Sequence, residues 1–307
     1  MRIKSSFNEK MCAILIIPKW IKDIPRDQTI LITGPTASGK SSLATAIAEK
    51  AGGRIINADA LQVFKNWRIL TARPTAEEER RLSHSLYGHI EGHASYSVGH
   101  WLREVIPILK SQLRPIIVGG TGLYFTALTK GLAAIPEIPL DIKSDSEKKL
   151  KKWGLNSLIR DLDVHTKNRI DLQNPRRVLR AWQVWSHTGR SILDWQKDTP
   201  SPTLSLGACK PILLSVENDR LNHRIEQRFK KMIELGVLDE ARENAQKWCP
   251  DTPSLKAIGA HELISHARGD LSSLETFEQV SIATKKLAKR QRTWFRSNMK
   301  EWINFEP

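Results

Sequence analysis

Cysteine is scarce in this 307-residue chain: Cys12, Cys209 and Cys249 are odd in number, far apart and without a C-x-x-C pair. That argues against a disulfide framework and a cysteine zinc site, and fits a reducing cytoplasm as the expected compartment. Long apolar runs are also missing. The run from Cys12 to Ile17 is too short to span a bilayer, and Pro18-Lys19-Trp20 follows it in place of a small-residue cleavage site, so no membrane association is expected. Internal repeats and low-complexity tracts are absent. Acids are in deficit, with 33 Asp+Glu against 48 Lys+Arg, a formal charge of +15 and a pI near 9.8. From Thr284 to Lys300 there are none at all. A surplus of this size suggests a polyanionic partner such as nucleic acid or anionic lipid.

What is present is organised around one stretch, Gly34-Pro35-Thr36-Ala37-Ser38-Gly39-Lys40-Ser41. It fits the phosphate-binding pattern G-x-x-x-x-G-K-[ST] and has the right context, an apolar run (Ile30-Leu31-Ile32-Thr33) before it and a helical pattern (Leu43, Ala44, Ile47, Ala48) after it. The glycines let backbone N–H groups converge on phosphate oxygens, Lys40 reaches the outer phosphate, and the Ser41 hydroxyl can ligand Mg²⁺. The loop specifies a diphosphate group; nothing in it touches a base.

Strand, loop and helix open a doubly wound parallel sheet, and an α/β fold with a phosphate-loop core follows. Arg54 to Asp59 reads as a second strand ending in an acid. In open parallel sheets the carboxyl ends of strands line the ligand crevice, so Asp59 faces the phosphate site on this reading; the alternative is an Asp capping the next helix. Glu77 to Arg81 reads as the polar first turns of a helix. An amphipathic helix follows Tyr96-Ser97, with Trp101, Val105, Ile108 and Leu109 turned inward and Trp101 as core. Arg114 to Val118 is a buried-type strand leading into a second glycine-rich turn, Gly119-Gly120-Thr121-Gly122, which should neighbour the phosphate loop. This turn offers a hydroxyl and N–H groups where a nucleotide hydrolase would carry an acid.

Residues 1–27 read as an N-terminal extension, expected to be poorly ordered, with Met11 an alternative start and a weak targeting signal the competing reading. Residues 28–136 and 205–307 form the core. Residues 137–204, bounded by proline-rich segments, read as an inserted helical subdomain. Within it Asn174-Pro175 opens a helix with Arg176, Arg177 and Arg180 on one side and Val178, Trp182 and Trp185 on another. Such a basic face suits a phosphate backbone, a solvated surface or the lid of a small-molecule kinase. After the strand Pro211 to Val216, a helix from Asp219 turns Leu221, Ile225, Phe229 and Ile233 inward and stacks Arg220, Arg224 and Arg228 at spacing four. The first of these is placed to meet a diphosphate, and Arg224 is counted among its ligands; surface pairing with Asp219 and Glu226 is the alternative. In the last long helix, Phe277, Val280, Thr284, Leu287, Gln291 and Trp294 make the inward stripe. Lys285, Lys289, Arg292 and Arg296 make an unneutralised outward one, the footprint of a nucleic-acid backbone.

With these residues laid out, the chain resembles the tRNA dimethylallyltransferases from about residue 29 to 298. The resemblance is carried by the phosphate loop, Asn57-Ala58-Asp59, Thr71-Ala72-Arg73-Pro74-Thr75, Val118-Gly119-Gly120-Thr121-Gly122-Leu123-Tyr124, Asn174-Pro175-Arg176-Arg177 with Arg180-Ala181, Lys256-Ala257-Ile258-Gly259, and Ala288-Lys289-Arg290-Gln291 with Thr293-Trp294-Phe295-Arg296. In this order and spacing the set is specific. It implies transfer of a dimethylallyl group from dimethylallyl diphosphate to N6 of the adenosine 3′ of the anticodon. The diphosphate would lie on Gly34 to Ser41 and Arg224, with Mg²⁺ on Ser41. Lys40 would neutralise the leaving group, Thr121 would hydrogen-bond its bridging oxygen, and Asp59 would take the proton. The anticodon stem-loop would be held by Asp59, Ala60, Leu61, Gln62, Thr121, Arg176, Arg177, Arg180, Lys256, Gly259 and His261, and along the last helix by Lys285, Lys289, Arg290, Gln291, Arg292, Trp294 and Arg296. A monomer is expected.

The sequence departs from the family pattern at Ala60 and Phe64, where Ser and Tyr are usual. It departs again at Leu70 for Gly, Arg73 for Lys, Ala260 for Tyr and Lys285 for Arg. Two other readings share part of the pattern. A small-molecule kinase would have the loop, the acid and an arginine lid but no need of the C-terminal basic stripe. A non-catalytic RNA-binding protein would need the stripe but not an intact Lys40, Ser41 and Asp59.

Overall fold

The computed structural model describes residues 24–246, 249 and 251–307, so Cys12 and nearly all of the N-terminal extension lie outside the described residues. By contacts the chain divides into two compact units, one of residues 1–127 and 204–307, the other of residues 128–203.

In the first unit β1 (Thr29–Thr33) is buried along its whole length, as expected of a central parallel strand. It feeds the phosphate loop and α1 (Lys40–Ala51), which stops where Gly52 turns to φ 70°. Next come β2 (Arg54–Asn57), the short α2 (Ala76–Arg81) opened by a Thr75/Glu78 capping box, and the two-residue β3 (His84–Ser85). Ser97 caps α3 (Val98–Leu109), and β4 (Pro115–Gly119) leads to α4 (Gly122–Lys130). The second unit is helical: α5 (Leu140–Trp153), α6 (Leu155–Asp161), α7 (Val164–Arg169), α8 (Pro175–Thr188) and α9 (Ile192–Lys197). The chain then returns through β5 (Cys209–Leu214), α10 (Asn218–Glu234), α11 (Val237–Gln246), α12 (Ala260–Ala267), α13 (Ser273–Asn298) and β6 (Ile303–Phe305).

The sheet has the order β3-β2-β4-β1-β5-β6, and every pairing is parallel. From β1 the chain crosses over β4 to reach β2; from β4 it crosses over β1 to reach β5. The connections leave β1 and β4 in opposite directions, so a crevice opens between the carboxyl ends of these two strands. The phosphate loop and the Gly119–Gly122 turn occupy those ends.

On one face Ile30, Ile32, Ile55, Ile116, Val118 and Ile212 pack against Leu43, Ala44 and Ile47 of α1. Leu31, Ile56 and Ile117, which alternate with them, are equally buried, so both faces are covered. Burying a side chain of this size is worth about 1.5–3 kcal/mol, and such sites anchor the two loops. Trp101 is fully buried, stacks on Tyr124 with centroids 4.7 Å apart and donates its indole N–H to the Asn57 carbonyl at 2.6 Å. A second cluster joins Trp67, Leu70, Phe229, Met232, Ala260, Leu263, Ile264 and Val280 from α10, α12, α13 and the 61–72 segment.

Two expectations for the C-terminal helices are corrected. Ile233 of α10 is 38% exposed, and its neighbour Met232 takes the inward place at 8%. In α13 the buried positions are Thr276, Val280, Ser281, Ala288 and Phe295. Thr284, Leu287, Gln291 and Trp294 are only half-buried. The register differs because the C-terminal half of α13 meets the crevice loops as well as the core.

Candidate active site

The phosphate loop holds its shape by backbone conformations that its sequence permits. Gly34 (φ 152°) and Gly39 (φ 97°) lie in the region open to glycine, and a β-carbon on Gly34 would sit 2.8 Å from the Leu214 carbonyl oxygen. Ala37 also has positive φ, 61°, and its methyl packs against Val216, Leu221, Ile225 and Ala288 beneath the loop. The Ser38 amide donates to the Pro35 carbonyl at 3.2 Å, while the buried Ser38 hydroxyl has no partner among the described residues. Gly39 precedes α1 without a side-chain cap, so the first N–H groups of the helix stay available to an anion.

Three cations converge on this loop. Lys40 Nζ donates to the Pro35 carbonyl at 2.6 Å, Arg224 to the Ser38 carbonyl at 3.4 Å and Arg228 to the Thr36 hydroxyl at 3.3 Å. Burial, and then the neighbouring Arg228, draw the Lys40 pKa down to about 7, with Asp59 pulling the other way. Burial lowers the Arg228 pKa too, again opposed by Asp59. Desolvated cations beside free N–H groups suit a polyanionic ligand. Of the three stacked arginines, Arg220 is exposed, and it is Arg224 and Arg228 that bond to the loop. Arg228, placed in the stack but not counted among the diphosphate ligands, reaches it.

Asp59 stands just past the end of β2. Its amide donates to Asn57 Oδ1 at 2.8 Å, its Oδ1 accepts from the Leu61 amide at 2.9 Å, and Asn57 Nδ2 donates to the Asp59 and Leu86 carbonyls. No helix follows at once, so the carboxylate stabilises a turn and is not a helix cap. Its Oδ2 is turned toward the second glycine turn: a β-carbon on Gly120 would lie 3.5 Å from it. Thr121 locks the two strand ends together, its Oγ1 accepting from the Ala60 amide at 3.0 Å and its amide donating to the Ala58 carbonyl at 3.2 Å. The Thr121 hydroxyl acts there as an acceptor and keeps its proton to donate elsewhere.

From α13, Gln291 reaches both loops. Its Oε1 accepts from the Thr36 amide at 2.8 Å and its Nε2 donates to the Gly120 carbonyl at 3.0 Å. One turn further on, the Trp294 ring lies over Gly122 so closely that a β-carbon there would overlap it. The two loops expected to be neighbours are thus tied together, and a residue expected at the RNA does the tying. The spacing of α13 marked Gln291 as inward but carried no sign of what it would meet.

Other residues singled out from the sequence are more dispersed. Ala60, Leu61 and Gln62 follow Asp59 at the crevice, but the Gln62 amide donates to the Thr71 and Ala72 carbonyls at 2.7 and 3.0 Å. Gly259 is buried at φ 91°, with Val280 and Leu70 within 3.3 Å of where its β-carbon would be, so its place is a packing one. Ala260 beside it is also buried. Lys256 and His261 are exposed. Lys285 pairs with Glu226 at 2.6 Å, so the basic stripe is neutralised at that point. Lys289, Arg290 and Arg296 are exposed and Arg292 half-buried, and among the described residues none of the four makes an ion pair. In the second unit Arg176, Arg177 and Arg180, with Arg169, Ile170 and Ile192, line a groove of about 520 Å³.

Among the described residues no group of three or more His, Cys, Asp or Glu could hold a metal, and no helix is long and apolar enough to cross a membrane. Ser41, exposed at the first turn of α1, is the donor next to the cradle. That donor set fits Mg²⁺, which binds through few protein ligands and takes the rest from phosphates and water.

Two family models match the chain, IPP transferase over residues 62–298 and isopentenyl transferase over residues 27–86. A tRNA dimethylallyltransferase of Ruegeria sp. is 50% identical over 287 residues, covering 94% of this chain and 98% of its own. One from Dinoroseobacter shibae is 49% identical over 290 residues, covering 94% and 97%. Among solved structures, the full-length tRNA isopentenylpyrophosphate transferase of Bacillus halodurans matches with a TM-score of 0.64 at 29% identity, covering 91% of this chain and 90% of that one. A eukaryotic dimethylallyltransferase acting on tRNA matches with a TM-score of 0.77 at 22% identity, over 91% and 73%, a likeness of fold.

Proposed function

The chain belongs to the IPP transferase family, and from that premise we propose that it transfers a dimethylallyl group from dimethylallyl diphosphate to N6 of the adenosine immediately 3′ of the anticodon of tRNA. The observation that carries this reading is the crevice between β1 and β4, where a polycationic phosphate cradle and the Asp59 carboxylate face each other across the Gly119–Gly122 turn.

In the proposed reaction the N6 nitrogen bonds to the first carbon of the dimethylallyl group while the carbon–oxygen bond to the diphosphate breaks. The electron pair leaves with the diphosphate, and the N6 proton passes to Asp59. Lys40, Arg224, Arg228 and the first N–H groups of α1 hold the leaving group, and cations fixed where charge develops stabilise the transition state. The Thr121 hydroxyl donates a hydrogen bond to the bridging oxygen. Mg²⁺, held through Ser41 and the diphosphate, would supply further charge neutralisation. Because an exocyclic amine within a stacked loop is out of reach, the adenosine enters the crevice extruded from the RNA.

The anticodon stem-loop is held in this reading by Lys289, Arg290, Arg292 and Arg296 of α13, by Lys256 and His261, and by Arg176, Arg177 and Arg180 of the inserted helical unit. The protein acts as a monomer in the cytoplasm, where its RNA substrate is found. A kinase reading accounts for the cradle but gives no role to Lys289, Arg290, Arg292 and Arg296 of α13, which make no ion pair among the described residues. Mass spectrometry of nucleosides from tRNA incubated with the purified protein and dimethylallyl diphosphate tests the proposal. It predicts N6-(dimethylallyl)adenosine, and RNA-independent ATP hydrolysis with no prenylated nucleoside would overturn it.

A further inference from the structure

Among the described residues Gln291 is the one side chain whose hydrogen bonds join the phosphate loop to the second glycine turn, and it uses a different polar atom for each. The Thr36 end needs an acceptor and the Gly120 end a donor. An uncharged amide supplies both; a carboxylate would set two acceptors against each other at Gly120, and a thioether of the same length would satisfy neither. The second turn is shaped for this contact, since a β-carbon on Gly120 would lie 2.5 Å from Gln291 Nε2. A chain of hydrogen bonds then runs from Thr36 through Gln291 to Gly120, whose neighbour Thr121 holds Ala60 next to Asp59.

We propose that Gln291 is a positioning residue that fixes the turn bearing Thr121, and with it Asp59, at reacting distance from the diphosphate cradle. This deepens the prenyl-transfer reading and rests on it. Gln291 touches neither reacting atom; it sets the spacing between the group that holds the leaving oxygen and the group that takes the proton. A displacement of about 1 Å between such groups costs on the order of 10²-fold in rate, so the effect belongs in kcat.

The experiment compares wild type with Gln291→Met, Gln291→Glu, Gly120→Ala and the Gly120→Ala/Gln291→Met double variant. It measures kcat and donor KM for dimethylallyl diphosphate, Kd for an anticodon stem-loop, and thermal midpoint. Gln291→Met should lower kcat about 10–100-fold with donor KM and stem-loop Kd within about threefold of wild type. Gln291→Glu should lower kcat similarly and also raise donor KM, because its charge lies beside the diphosphate. Gly120→Ala, which pushes the amide aside from the other end, should reproduce the Gln291→Met loss, and the double variant should be no worse than either single one. A wild-type kcat in Gln291→Met, a loss confined to stem-loop Kd, or additive losses in the double variant would each overturn the proposal. If Gln291→Met is too unstable to assay, the Gly120→Ala and Gln291→Glu pair decides by the same kcat criterion. Absence of prenyl transfer by the wild type would instead sink the underlying reading.

Discussion

Lys285 of α13 lies 2.6 Å from the Glu226 carboxylate of α10, an ion pair between two helices at the edge of a basic face whose Lys289, Arg290, Arg292 and Arg296 make none among the described residues. The hydrogen bond from Lys285 holds the Glu226 carboxyl below its usual range. The face available to a polyanion therefore begins at Lys289.

Each phosphate neutralised on a single-stranded or loop target contributes about 0.7 to the slope of log affinity against log salt. Replacing Lys289 and Arg292 with Ala should make the salt dependence of stem-loop binding shallower by about 1.4 in slope. Lys285→Ala should leave it nearly unchanged. A salt series of binding isotherms on both variants checks this, beside a donor-binding measurement that should not move. An unchanged slope in the double variant would mean that the stripe is only a solvated face.

Asp59 is expected to contribute as a general base, an effect of roughly 10²–10⁴-fold. Asp59→Asn should lose single-turnover rate by about that factor with stem-loop affinity little altered. Full turnover in Asp59→Asn with chemistry limiting would move the proton acceptor elsewhere.

Lys40 gives a pH dependence whose sign follows from its lowered pKa of about 7. In the free protein the ammonium loses its proton as pH rises through that value, while a bound diphosphate favours the charged form. Donor binding then takes up a proton, and affinity should weaken above pH 7, where the diphosphate is already ionised, by up to about tenfold per pH unit. Calorimetry in buffers of different ionisation enthalpy reads the proton uptake. Lys40→Ala should bind the donor weakly and without this trend.

Gly122 tests the packing of α13 against the second turn. The Trp294 ring leaves no room for a β-carbon, so Gly122→Ala should destabilise the protein by about 1–3 kcal/mol, an overpacking cost. Denaturant unfolding measures it. Thr126→Ala on the same helix, where the hydroxyl bonds back to the Gly122 carbonyl at 3.2 Å, should cost less.

Much of this site was legible in the sequence because its parts are local. The phosphate loop carries its own flanking strand and helix, and Asp59 and the Gly119–Gly122 turn sit at strand ends where parallel sheets place ligands. What was not legible depends on partners distant in the chain. Arg220, Arg224 and Arg228 are equivalent in spacing, and only the packing of α10 under the loop selects the last two. The run without acids from Thr284 to Lys300 gives no sign of Glu226, 59 residues away from Lys285. Helical period marked Gln291 as inward without distinguishing a core from a crevice. The edge strands β3 and β6 are two and three residues long, too short for a period, and exist because their parallel neighbours offer a free edge.

In the proposed reaction the cradle holds a leaving diphosphate and Asp59 faces the acceptor amine. The most direct measurement incubates the protein with an anticodon stem-loop and dimethylallyl diphosphate, weighs the intact RNA, maps the modified nucleotide and counts the diphosphate released. The expected result is a gain of one five-carbon unit at the adenosine 3′ of the anticodon, with one diphosphate released per RNA modified and no gain when that adenosine is replaced. Unmodified RNA with the donor intact, or a gain at another position, would contradict it.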